Sequence, residues 1–144
     1  MDRNTFIKTC GLACLAGLGG LSACGSIRRV RGDIDADDLV LPLDRFESGK
    51  EGKTVFRDSV IVYHEILKYP VCVFRVSGQE YRALWMRCTH QGTELQVFGD
   101  RLQCPAHGSE FDSSGRIRNG PADENLRTFP VRIENDRLKI SLKK

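Results

Sequence analysis

Beyond Asp38 the sequence has no stretch of any length with the 3.6-residue apolar period of a helix, and it has no internal repeat and no low-complexity tract. A helical domain there and repeat architectures are therefore excluded. Excess charge of one sign is also missing, because 22 Lys+Arg face 19 Asp+Glu and leave a net +3 over 144 residues. That balance is too even for a nucleic-acid surface, and basic and aromatic residues are not interleaved as on a strand-binding face, so no nucleic-acid partner is expected. Nor is there a candidate nucleophile, a phosphate-binding loop or a recognisable substrate pocket. Independent catalysis by the isolated chain is not expected. Histidine is scarce, at three residues, and two of the three fall in one informative region.

That region runs from Cys88 to Phe111. It contains C-T-H-Q-G at Cys88 to Gly92 and C-P-A-H-G-S at Cys104 to Ser109, with 13 residues between His90 and Cys104. Each half offers one thiolate and one imidazole, ligands suited to iron-sulfur or zinc chemistry, at a spacing that two loop tips can bring to one point. Zinc modules usually pair two cysteines on one knuckle and two histidines on another element. Here each loop carries one of each. A 2Fe-2S cluster with both cysteines on one iron and both histidines on the other needs two loops that each pass over both irons, and Cys-x-His with Cys-x-x-His supplies that. A structural Cys2His2 zinc site is the competing reading. Gly92 and Gly108 allow close backbone approach to an inorganic core, and Pro105 stiffens one loop.

At these residues the chain resembles the Rieske iron-sulfur family. G-S-E-F-D from Gly108 and G-P-A at Gly120 to Ala122 extend the likeness, which covers roughly Asp37 to the C-terminus. The resemblance implies that Cys88 and Cys104 ligate one iron, that His90 and His107 ligate the other, and that the histidine edge is exposed. It also implies that Gly120-Pro121-Ala122 is a third loop packed over the cluster, although Asp123 replaces a second proline seen in the respiratory branch. Respiratory members look like C-T-H-L-G-C and C-P-C-H-G-S, with the extra cysteines in a disulfide. Thr93 and Ala106 stand in those places here, so a staple typically worth about 2–4 kcal/mol is missing. Ser109 matches a serine that donates to a bridging sulfide, whereas Phe111 replaces a hydrogen-bonding tyrosine. A missing donor worth about 1.5–3 kcal/mol lowers a one-electron potential by up to roughly 60–130 mV. A potential within the Rieske range of about −150 to +300 mV, away from both limits, is expected.

The first 23 residues read as a targeting segment. Arg3 and Lys8 precede an uncharged run from Cys10 to Ala23, which ends in L-S-A-C at Leu21 to Cys24. This resembles a bacterial lipoprotein signal, which implies that Cys24 is acylated. R-N-T-F-I-K at Arg3 to Lys8 also resembles a degenerate twin-arginine signal, with Asn4 in place of the second arginine. The alternative is an uncleaved helix over Thr9 to Ile27, 19 residues without charge and within the roughly 17–25 that cross a bilayer. Against it, Arg28, Arg29 and Arg31 would lie on the exported side, whereas beside a lipid anchor they would meet headgroups. Either reading places the protein at a bacterial envelope membrane, facing the periplasm. Residues 24–36 are expected to be the lipidated cysteine and a tether, serving as a shuttle arm or a passive spacer.

From Asp37 to Lys144 the pattern is two-fold alternation, which predicts an all-β fold: a small antiparallel sandwich or barrel with the two metal loops joined by a hairpin at one end. Strands are expected over Leu39 to Leu43, with Pro42 marking an edge, and over Ser59 to Tyr63, Val71 to Val76 and Tyr81 to Met86. Glu94 to Phe98 and Arg101 to Gln103 form the hairpin through Gly99-Asp100, and another turns at Asn135-Asp136. Cys72 alternates with Phe74 and Val76 and is expected inside a strand. His64 has no partner motif and reads as a solvated or core histidine, Trp85 and Phe98 as core, and Arg75, Arg82 and Arg87 as solvated charges. The function expected from motifs, anchor and resemblance together is one-electron transfer to or from a redox partner, a cytochrome or an oxidoreductase subunit. The host is expected to be a quinol-oxidising or other respiratory complex, or an exported oxidoreductase served by a ferredoxin-like small subunit.

Overall fold

A computed structural model describes residues 27–49 and 52–144; the expected signal segment and Cys24 lie outside them. Thirteen strands form three sheets. In chain order they are β1 (Arg28–Arg31), β2 (Asp33–Asp35), β3 (Asp38–Pro42), β4 (Ser59–Tyr63), β5 (Val71–Arg75), β6 (Tyr81–Trp85), β7 (Gln96–Phe98), β8 (Arg101–Gln103), β9 (Glu110–Asp112), β10 (Ile117–Asn119), β11 (Thr128–Phe129), β12 (Val131–Glu134) and β13 (Arg137–Ser141). One turn of 3-10 helix, Leu43–Phe46, follows β3. The sheet orders are β1-β4-β5-β6-β11, β10-β9-β8-β7 and β12-β13-β3-β2. All pairings are antiparallel except β1 with β4.

The five-stranded sheet lies between the other two, which explains why β4 and β5 are apolar almost without interruption. Alternate side chains serve different cores. Val60, Val62, Val71, Val73 and Ala83 face one shared with Leu39, Leu41, Leu138 and Ile140. Ile61, Cys72, Phe74 and Leu84 face the other, shared with Leu102, Phe111, Cys88 and Cys104. The second core reaches the metal loops, so the scaffold and the loops share one packed interior. Cys72 is fully buried in β5, as expected, and burial pushes its thiol pKa up.

The expected tether is corrected over Arg28 to Asp35. β1 pairs in parallel register with β4, Arg28 to Val60 through Arg31 to Tyr63, and β2 pairs with β3. The segregated charges find tertiary partners: Arg29 meets Glu94 at 3.3 Å, Arg31 meets Glu65 at 2.9 Å and Lys139 meets Asp35 at 3.2 Å. Pro42 does not mark an edge, because β3 runs between β13 and β2. β2 pairs only as far as Val40, so Pro42 lies beyond that ladder and precedes the 3-10 turn. Phe98 is 52% exposed rather than core. Arg75 is not fully solvated, since its guanidinium lies 4.1 Å from the centroid of the Phe56 ring. His64 accepts the Ile66 backbone N–H through Nδ1 and has no part in the site.

Candidate metal centre

β6 and the β7–β8 hairpin deliver the two loops. After Trp85 the chain passes through the Arg87–Glu94 bridge and closes the first loop with two backbone bonds. Gly92 N–H donates to the Cys88 carbonyl at 2.8 Å, and Cys88 N–H donates to the Thr93 carbonyl at 2.9 Å. The second loop repeats the scheme. Gly108 N–H donates to the Cys104 carbonyl at 3.0 Å, and Cys104 N–H donates to the Ser109 carbonyl at 2.8 Å. Each closure needs the left-handed region at its glycine, with φ +77° at Gly92 and +80° at Gly108. C-T-H-Q-G and C-P-A-H-G thus fold into like turns because their Cys-to-Gly spacing is the same, although the histidine sits one residue later in the second.

The turns separate thiols from imidazoles. Cys88 and Cys104 are buried and unbridged, whereas His90 is half-buried and His107 exposed. The imidazole centroids are 4.9 Å apart with the rings nearly perpendicular. Burial works to raise the Cys104 pKa, but the backbone N–H groups of His107 and Ala106 and the side chains of Cys88 and Thr93 outweigh it, and the net shift is downward. A thiol held toward its anionic form inside a nest of N–H donors is a prepared metal ligand.

The fit of a two-metal group rests on His90. Its Nδ1 is buried and has no hydrogen-bond partner among the described residues, a costly state for a ring nitrogen unless something else takes its lone pair. Two thiols inside and two imidazoles outside match a cluster in which each pair holds a different metal.

A third segment closes over the turns. Thr89 Oγ1 donates to the Glu124 carbonyl at 2.7 Å, Asn119 Nδ2 donates to the Gly108 carbonyl at 3.2 Å, and the Ala122 N–H donates to Ser109 Oγ at 3.0 Å. Gly120 and Pro121 lie at the exposed crest of this segment, joined by a cis peptide, and Ala122 is buried beneath. Ser109 and Phe111 are fully buried, Phe111 packed in the core that contains both cysteines. Pro105 is exposed on the second turn. Sequence reasoning did not foresee the clasps from Thr89 and Asn119. A threonine inside C-T-H and an asparagine before G-P were the available signals, each a side chain suited to backbone bonding. Asp112 closes the turn between β9 and β10, accepting N–H bonds from Ser114 at 2.8 Å and Arg116 at 3.0 Å.

A family model for the Rieske 2Fe-2S domain matches residues 49–130, more than half of the chain. The ferredoxin component of a 2,4-dinitrotoluene dioxygenase system from Burkholderia sp. (strain RASC) is 30% identical over 83 residues, 55% of this chain and 79% of that protein. The ubiquinol-cytochrome c reductase iron-sulfur subunit of Cereibacter sphaeroides is 51% identical over 51 residues, 33% of this chain and 27% of the subunit. Among solved structures, the ferredoxin of carbazole 1,9a-dioxygenase from Nocardioides aromaticivorans IC177 superposes with a TM-score of 0.52 at 22% identity, covering 72% of this chain and 95% of that one. At that identity the likeness is one of fold.

Proposed function

Because the chain belongs to the Rieske 2Fe-2S family, and is therefore an electron-transfer protein with a Rieske 2Fe-2S cluster, we propose that Cys88 and Cys104 hold one iron and His90 and His107 the other. We further propose that the domain serves, from a membrane anchor on the periplasmic side of a bacterial envelope, as a subunit or partner of a quinol-oxidising or other respiratory oxidoreductase. The observation that carries the ligand set is the buried, unpartnered Nδ1 of His90 beside the exposed His107, above two buried thiols. A Rieske cofactor sets aside the structural-zinc alternative.

When bound, the cluster supplies a one-electron couple. The protein supplies its surroundings. Buried thiolates and N–H donors hold the inner end away from water, while His107 at the surface is the point a redox partner can reach. Ser109 Oγ accepts the Ala122 N–H, which leaves its hydroxyl hydrogen available to donate to the cluster. Phe111 offers no donor, so the core side of the site is drier and less hydrogen-bonded than in relatives with tyrosine there. The L-S-A-C box and the uncharged run before it support the membrane anchor, by acylation of Cys24 or by an apolar helix. Among the described residues no helix is long and apolar enough to cross a membrane.

A second reading is favoured by the coverage of the dioxygenase ferredoxin component, 79% of its length: a ferredoxin-like carrier or small subunit serving an exported oxidoreductase. An EPR-monitored redox titration of the purified protein tests both. A rhombic signal of low average g on reduction is expected, and its absence from folded, anaerobically prepared protein refutes the ligand set. A high midpoint favours quinol chemistry, and a low one with a co-purifying catalytic subunit favours the carrier.

A further inference from the structure

The anchor proposed above, on which this inference rests, has a short leash. β1 begins at Arg28 and only two residues, Gly25 and Ser26, separate Cys24 from Ile27, three chain steps with a reach of at most about 11 Å. Whichever end of the domain carries Ile27 must therefore lie close to the bilayer.

That end is opposite the histidines. β1 runs parallel to β4, and β6 runs in the same direction through β5, so Arg28, Ser59, Arg75 and Tyr81 lie at one end and Arg31, Tyr63, Val71 and Trp85 at the other. β6 continues from Trp85 into the first metal loop. The β7–β8 hairpin agrees: its strands meet the metal loops at Gln96 and Gln103, and its turn at Gly99-Asp100 points away. Ile27 and Arg28 line an open groove of about 600 Å3 with Phe56, Arg57, Phe98 and Gly99.

This end carries exposed apolar side chains. Of the six large hydrophobic residues exposed among the described residues, Phe56 at 43%, Val76 at 47% and Phe98 at 52% lie here, whereas Tyr63 and Ile66 lie at the other end; the three are joined through neighbouring grooves around Asp58 and Gly99. Arg28, Arg57 and Arg75 are interleaved with them, and none has a carboxylate within 4 Å among the described residues. The Nε atoms of Arg57 and Arg75 are buried without an acceptor there. Exposed aromatic rings among guanidiniums that lack counter-ions match a phospholipid interface, where rings enter the acyl boundary and guanidiniums bind phosphate.

We infer that this end docks on the phospholipid surface, Phe56 and Phe98 entering the headgroup boundary and Arg28, Arg57 and Arg75 binding lipid phosphate, so that His90 and His107 face away from the bilayer. The five residues of β6 set the two ends apart by roughly 16 Å at the ordinary strand rise.

The test uses the full chain with its cluster, reconstituted in phosphatidylcholine–phosphatidylglycerol vesicles with or without brominated acyl chains. Trp85, the single tryptophan, lies at the histidine end and is expected to keep its fluorescence. In a Phe98→Trp, Trp85→Phe variant, whose folding is checked by its cluster spectrum, brominated lipid is expected to quench the introduced indole. Hydrogen exchange of the unmodified protein over residues 52–58 and 98–100 is expected to slow on vesicles. Protein that floats with vesicles while the indole stays bright and exchange is unchanged overturns the docking and leaves this face to a protein partner. Failure to float overturns the anchor, and the docking with it.

Discussion

Replacing Ser109 with alanine separates two functions that one hydroxyl performs. The side chain is fully buried, and its oxygen accepts the Ala122 N–H at 3.0 Å. A hydroxyl has one hydrogen besides its acceptor lone pairs, and among the described residues that hydrogen donates to no protein acceptor. It is free for the cluster. A hydrogen bond to a charged acceptor contributes about 1.5–3 kcal/mol, and about 1.4 kcal/mol equals about 59 mV for one electron, so Ser109→Ala is expected to lower the midpoint by up to roughly 60–130 mV. The ceiling applies if the bond forms only in the reduced state. The buried Ala122 N–H is also left without its acceptor, at about 1–3 kcal/mol of stability.

Thr89→Val is the control. The Thr89 hydroxyl also clasps the covering segment, but its hydrogen goes to the Glu124 carbonyl, so stability should fall with little change in potential. The assays are EPR-monitored redox titration and thermal unfolding, each on protein with an intact cluster spectrum. A midpoint for Ser109→Ala equal to the parent's, or an equal fall for Thr89→Val, refutes the assignment of that hydrogen.

Cys88→Ala and His107→Ala are each expected to lose the cluster, and a spectroscopically intact cluster in either sinks the ligand set. Phe111→Tyr is expected to raise the midpoint, by at most the same roughly 60–130 mV; an unchanged value removes the missing donor as a cause of lower potential. For Asp112, burial works to raise the carboxyl pKa, but the N–H groups of Arg116 and Ser114 and the Arg116 guanidinium outweigh it and the folded value is lowered. A lowered folded pKa stabilises above the unfolded value of about 3.9 and is lost as pH falls through the folded one. Thermal melts should therefore decline below about pH 4, less steeply in Asp112→Ala, and an equal slope in both proteins refutes the linkage. Buried Cys72 should resist thiol reagents until the protein unfolds, and rapid labelling of the native protein would show that β5 opens.

What the sequence made legible was periodic or chemical. β4 and β5 are apolar runs and the last hairpin an apolar alternation, patterns that need no distant partner to be recognised, and Asn135 and Asp136 adopt the positive φ that their turn requires. The metal loops were legible because thiol and imidazole spacing is local. The short strands β9, β10 and β11 were not seen as strands, since two or three residues show no period. Phe98 was misjudged because it falls one residue before a turn, where its alternate face opens to solvent. The clasps over the site were hidden too, since Thr89 and Ser109 find acceptors and donors 35 and 13 residues away.

The largest miss, β1 and β2, has the greatest consequence for function. R-R-V-R and D-I-D look solvated because every second residue or more is charged, yet outer strands tolerate charge where the opposite face is paired or covered. Here the charges meet Glu94, Glu65 and Lys139 across the fold. On the proposed anchor at Cys24, three residues rather than 13 precede the first strand, and an arm of that length does not carry His107 between distant partners by swinging. Larger travel requires β1 to leave β4, breaking a four-residue parallel ladder and exposing Val30, which packs on the core. With that anchor, the proposal favours a redox partner that approaches the histidine edge over a head that travels to it.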